Sequence, residues 1–220
     1  MSSKTNKISV KQLIIVNILI LIGLFSCFKL WQHYFASPKI PKELRGIVLP
    51  EPISLKPFRL VDHFSKPFNM ERLQGSWSFV FFGYTQCPDV CPISMGLLAD
   101  TFERLSKVPG VLDNTQAVFI SVDPGRDTPE LLKSYVPYYN PEFLGVTGTA
   151  EQLRAFAKQM LASYVISSKV DEDGDYTVAH TSAFFLVDPK GQLFAIFQSQ
   201  FHDPEKMAEY FISIRTNYEK

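Results

Sequence analysis

The sequence predicts an α/β fold: a three-layer domain with a central mixed sheet flanked by helices, preceded by an N-terminal membrane anchor. Two observations carry the prediction. From Phe58 onward, short runs rich in aromatic and β-branched residues alternate with stretches of helical periodicity, the order expected of a sheet covered by helices. Ahead of them stands one largely apolar run, Leu13 to Phe28, broken only by Asn17 and Ser26 and preceded by Lys4, Lys7 and Lys11.

Four segments follow from these patterns. Residues 1–11 are a basic N-terminal segment, and 12–31 a transmembrane anchor or a signal or lipoprotein segment. The run is apolar on nearly all faces, which distinguishes it from a core helix, and it lies near the short limit of about 17 residues for a spanning helix. "LFSC", Leu24 to Cys27, is similar to a lipoprotein cleavage site, although Phe25 is large for that position; an uncleaved helix is the preferred reading, with a lipid anchor at Cys27 the alternative. Residues 32–57, with Pro38, Pro41, Pro50, Pro52 and Pro57, are expected to form an extended tether. Residues 58–220 form the domain.

Within the domain, "FRLVDHFSKPF" reads as a hairpin turning at 63–67, and "WSFVFFGY" (77–84) as a strand buried on both faces. A helix is expected over 93–108, and "QAVFISVD" (116–123) is a second buried strand. "TPELLKSYVPYY" opens a helix with Asp127 or Thr128 as N-cap and Pro129 at its first position. A short strand "FLGVTG", the helix "AEQLRAFAKQML", strands at 163–170, 176–187 and 192–198, and a helix from Pro204 to Tyr218 complete the chain. The 22 basic residues balance the 22 acidic ones and no like-charge block occurs, which disfavours nucleic acid as a partner.

The chemistry concentrates in "FGYTQCPDVCP", residues 82–92, between the first buried strand and the next helix, a thioredoxin-like placement. Cys87 falls in the loop and Cys91 at the helix start. The partial positive charge of a helix N-terminus favours thiolate, which is both the nucleophile of disulfide exchange and a ligand for soft metals. C-x3-C spacing is wider than C-x-x-C, so the sulfurs could splay around an ion or close a disulfide. A plain structural disulfide remains open on these residues alone. Two clamp cysteines exclude a four-cysteine zinc or iron–sulfur site within one chain. Of the four histidines, His33, His63 and His202 read as solvated or cap-region residues. His180, in "DYTVAHTSAFFLVD", lies beside a strand, but spacing cannot bring it to the cysteines.

"FGYTQCPDVCP", "SVDPGRDTPE", "LGVTGT" and "DGDYTVAHTSAFFLVDPKG" occur in the order found in Sco/SenC proteins, and the sequence resembles that family over about residues 50 to 217. The resemblance implies a membrane-anchored, thioredoxin-like copper protein that helps assemble the dinuclear copper centre of cytochrome c oxidase. It implies Cys87, Cys91 and His180 as ligands of Cu(I) or Cu(II). Two thiolates suit Cu(I), while an imidazole helps hold Cu(II). Asp89 matches the same motif, as a residue that orients the loop or meets a partner, or as a helix cap. Asp123, Arg126 and Asp127 match a "DPxRDT" loop, read first as an Arg–Asp lock and second as a partner surface. Ala179 stands where many members carry an acidic residue before the histidine. Asp171, Glu172, Asp173 and Asp175 could charge the same surface, but read more simply as turn residues.

The implied partners are the copper-bearing subunit of cytochrome c oxidase, another copper chaperone or a thiol reductant, and the membrane; nucleic acid is not among them. The implied location is the bacterial inner membrane with the domain in the periplasm. Two other functions remain open: a thiol–disulfide oxidoreductase whose redox pair is Cys87 and Cys91, reducing the cysteines of the oxidase copper subunit, and a redox or copper sensor.

Overall fold

The first helix, α1 (Val10–Phe35), holds the apolar stretch Leu13–Trp31, whose mean hydropathy of 2.5 and 19-residue length would allow it to cross a membrane. The structure, a computed structural model, describes residues 10–35, 40–168 and 176–218. It divides into two compact units, Met1–Pro41 and Lys42–Lys220.

The second unit begins earlier than the sequence reading placed it. After a 3-10 turn at Lys42–Leu44, β1 (Val48–Ser54) pairs antiparallel at the sheet edge, and Leu44 and Ile47 are buried. Much of the expected tether is therefore part of the domain. Its Pro50 and Pro52 lie where the register slips between Val48↔Ala195 and Ile53↔Leu193, a bulged edge where a missing N–H breaks no regular ladder. The hairpin follows as β2 (Arg59–Asp62) and β3 (Pro67–Asn69), then a one-turn helix α2 (Met70–Leu73) that sequence reading did not anticipate.

Next come β4 (Trp77–Gly83), α3 (Val90–Ser106), β5 (Thr115–Ser121), α4 (Pro129–Tyr135), β6 (Leu144–Thr147) and α5 (Ala150–Gln159). β4, β5 and β6 are parallel, and every residue of β4 is buried. Alternate β4 side chains meet different layers: Phe79 packs on Phe102 of α3 at 5.7 Å between ring centroids, and Phe82 on Phe156 of α5 at 6.0 Å. Thr128 caps α4 by accepting from the Leu131 N–H, and Pro137 ends its α-helical pattern in a 3-10 turn. A Thr149–Gln152 capping box starts α5.

The expected strand over 176–187 divides in two. β7 (Tyr164–Ile166) and β8 (Val178–His180) form a separate antiparallel pair, whereas β9 (Phe184–Val187) and β10 (Gln192–Phe197) join the main sheet. The strand expected over 163–170 is correspondingly short, and residues 169–175 lie outside the described residues. α6 (Pro204–Tyr218) completes the chain, with Phe211 against Phe79 at 4.9 Å. The main sheet runs β1-β10-β9-β4-β5-β6-β2-β3: three parallel strands within a mixed sheet of eight, covered by helices.

Candidate metal centre

β4 ends at Gly83, and its absence of a side chain admits the site. A Cβ there would stand 2.9 Å from Cys91 Sγ and 2.9 Å from a Phe119 ring carbon, closer than carbon and sulfur atoms pack. The chain then turns through Tyr84, Thr85 and Gln86 to Cys87 and enters α3 at Val90. This helix starts three residues before the expected position, so Cys91 lies in its first turn. Pro92 also occupies that turn, where no intrahelical partner for an N–H is required.

The two thiols are free and their surroundings differ sharply. Cys91 is fully buried, and that burial pushes its thiol well above the ordinary value. Burial also pushes Cys87 up, but the N–H groups of Asp89, Cys91 and Val90 face its sulfur and bring the net value down. The Cys91 N–H stands 3.4 Å from Cys87 Sγ. A helix start favours thiolate at either position, and the structure gives that advantage to Cys87. Asp89 occupies the N-cap position but its exposed side chain makes no capping hydrogen bond.

β8 brings in the third group. His180 Nε2 lies 3.3 Å from Cys91 Sγ, and the donor atoms of Cys87, Cys91 and His180 all fall within 4.8 Å of one another. On its other side, His180 Nδ1 is 3.3 Å from the Thr181 carbonyl oxygen. That oxygen can only accept, so Nδ1 carries the proton and the Nε2 lone pair faces the thiol. Burial lowers the imidazole pKa, keeping the ring neutral. Phe81 and Tyr84 wall the ring at centroid distances of 5.9 and 6.1 Å, both edge-to-face. Three donors around one ion at ordinary thiolate and imidazole lengths stand about 4 Å apart. Two sulfurs and one nitrogen within 4.8 Å of one another therefore need shifts of under about 1 Å to enclose one.

The loop after β5 supports this arrangement. Asp127, buried, accepts from Thr85 N–H at 2.9 Å, from Thr85 Oγ1 at 2.5 Å and from Ser121 Oγ at 2.6 Å. Arg126 Nε donates to Asp123 Oδ2 at 2.5 Å, Nη1 to Gln86 Oε1 at 2.7 Å and Nη2 to the Tyr176 carbonyl at 3.0 Å. Tyr176 Oη donates to the other Asp123 oxygen at 2.6 Å.

His63 is buried rather than solvated, its Nδ1 accepting from the Gly145 N–H, whereas His202 is a half-buried cap residue after the 3-10 turn Ser199–Phe201, tilted against Phe184 and donating to the Phe197 carbonyl. His33 lies in α1. Ala179 pairs with Val165, and strand alternation places it on the face of β8 opposite His180. Asp171, Glu172, Asp173 and Asp175 lie outside the described residues. Sequence reading passed over Gly83, Tyr84 and Tyr176; a glycine closing an otherwise bulky strand, and the tyrosine in "DGDYTVAH", were the signals available.

The family model for SCO1/SenC matches residues 50–214. A SCO2-like protein of Rickettsia prowazekii (strain Madrid E) is 32% identical over 182 residues, covering 81% of this chain and 85% of its own. Protein SCO2, mitochondrial, of Saccharomyces cerevisiae is 38% identical over 136 residues, covering 62% of this chain but only 44% of its own length. Among solved structures, yeast Sco1 with copper bound is similar with a TM-score of 0.69 at 30% identity, covering 75% of this chain and 90% of that one.

Proposed function

This chain belongs to the SCO1/SenC family, and from that premise we propose that it binds copper through Cys87, Cys91 and His180 and delivers it as cargo. The recipient is the copper-bearing subunit of cytochrome c oxidase, during assembly of its dinuclear copper centre. One observation carries the reading: chain segments remote in sequence place two sulfurs and a neutral imidazole nitrogen within 4.8 Å. Soft thiolates favour Cu(I), and the imidazole adds a donor suited to Cu(II), so one site can serve both states. Cys87 lies half-exposed at the rim, which leaves a side from which cargo can leave.

The same reading assigns α1 as an inner-membrane anchor with the domain in the periplasm, and another copper chaperone or a thiol reductant as a further partner. Titrating Cu(II) into the reduced wild-type protein and into His180→Ala tests the site. Wild type is expected to bind at least about tenfold tighter, the usual scale for losing a group that shapes a metal site. Equal binding would sink the three-donor assignment.

A second reading, a thiol–disulfide reductase, is favoured by the asymmetry of the thiols. Cys87, with its lowered pKa, would attack a target disulfide and release one target thiolate; Cys91 would then resolve the mixed disulfide, releasing the second and leaving Cys87–Cys91 oxidised. This reaction does not need His180, so retention of reductase activity by His180→Ala separates it from copper binding.

A further inference from the structure

We propose that Arg126 is a positioning residue for the metal centre, bracing the cysteine loop against the histidine strand so that His180 stands at Cys91 before copper arrives. The inference deepens the copper reading and rests on it for its metal chemistry. The guanidinium reaches three separate segments. Nε holds Asp123 in its own loop, Nη1 holds Gln86, the residue before Cys87, and Nη2 holds the carbonyl of Tyr176, four residues before His180. A lock serving only its own loop would need the first of these contacts alone.

The ring contacts repeat the pattern. The guanidinium carbon lies 3.7 Å from the Tyr176 ring centroid and 5.6 Å from that of Tyr84, whose ring stands edge-on to His180. Asp123 clamps both partners, taking Arg126 on one oxygen and Tyr176 Oη on the other. The Arg126 side chain is 15% exposed and that of Asp123 is 1% exposed, so solvent screens this pair little. The guanidinium spreads these bonds over three nitrogens held in one rigid plane, a reach that a lysine ammonium, with its three donors on a single nitrogen, cannot reproduce.

A brace has work to do here because β8 stands outside the main sheet. Among the described residues its ladder partner is the three-residue β7. His180 therefore depends on short pairing and on contacts made by the segment leading into it. Loosening that segment removes the imidazole from the donor set but leaves both sulfurs on the loop and α3. Cu(II), which needs the nitrogen, should suffer more than Cu(I), which two thiolates satisfy.

The test compares full-length wild type, Arg126→Ala and Arg126→Lys in detergent, measuring Cu(I) and Cu(II) affinities and, without metal, amide hydrogen exchange. Arg126→Ala is expected to weaken Cu(II) about 10–100-fold while Cu(I) changes less than about threefold. Arg126→Lys should resemble it, since charge without the fork does not bridge the segments. In the metal-free protein, exchange should rise across 176–181 and not across α5. Unchanged discrimination between the copper states overturns the proposal, as does an equal loss of both with faster exchange throughout the domain. Should wild type take up neither copper state, the copper reading fails by itself, and metal-free exchange then decides the brace: unchanged protection at 176–181 refutes it.

Discussion

Replacing Gly83 by alanine adds one methyl group at the point where sheet and metal site meet. It would stand 2.9 Å from Cys91 Sγ, 2.9 Å from Phe119 Cε2 and 3.1 Å from Phe81 Cε1, whereas carbon contacts are optimal near 3.5–4.0 Å. Both rings are at most 1% exposed, so neither has open space to retreat into. Overpacking of this kind costs about 1–3 kcal/mol. Alanine also reduces the freedom of the unfolded chain, which offsets about 0.4–1 kcal/mol. The steric cost dominates, and a net loss of about 1–2 kcal/mol is expected, equivalent to about 2–8 °C in Tm for a domain of this size. The softest of the three neighbours is the Cys91 side chain, so relief should move its sulfur from His180 Nε2. Thermal melting of the reduced, metal-free protein measures the first effect, and Cu(II) titration the second. A Gly83→Ala protein that melts with wild type and binds Cu(II) equally would refute the close-packing account of this position.

Two further outcomes follow from the thiols and the edge strand. Because Cys91 has a raised pKa in the fold, its contribution to stability is complete below the ordinary thiol range, about 8.5, and is lost as pH rises above it. The depressed Cys87 behaves oppositely: its contribution is full above the ordinary value and is lost as pH falls through its folded one, so between pH 8.5 and 10 it is nearly constant. Tyrosines raised by burial, Tyr135 and Tyr218 among them, cost wild type and Cys91→Ala alike stability toward pH 10, so the expected signal is a difference. The reduced wild type should fall more steeply than Cys91→Ala, by an extra slope approaching about 1.4 kcal/mol per pH unit read by urea midpoints, and parallel curves would contradict the burial assigned to Cys91. Deleting residues 1–41 should leave a cooperatively folding domain, whereas deleting 1–57 should remove about 3–6 kcal/mol through Leu44 and Ile47 alone, seen as a lower denaturant midpoint; equal midpoints would mean the edge strand is dispensable.

The parts of the fold legible in the sequence were those where burial leaves a simple pattern. Trp77 to Gly83 is buried on both faces and reads as an unbroken apolar run, and Thr128-Pro129 announces a helix through its own capping chemistry. The edge strand escaped because Pro50 and Pro52 suit an extended tether as well as a bulged edge; only Leu44 and Ile47, buried by distant elements, separate the two. His180 was reached through resemblance, since β8 turns away from the sheet and no local periodicity specifies where a two-stranded flap will fold. The inequality of the thiols was likewise hidden: it depends on which sulfur faces the helix-start N–H groups and which is buried, a difference of orientation within five residues.

The prolines bear on how copies of this protein behave together. The outer strands of the eight-stranded sheet are β1 and β3, and they contain Pro50, Pro52 and Pro67. An uninterrupted edge offers a row of backbone groups to any passing strand, the starting point of open-ended self-association. Here one edge is bulged around two residues that lack an N–H, and the other is three residues long and opens on a third. A second copy arriving edge-on finds no continuous ladder to extend, so crowding should favour collision and release over growth of a shared sheet.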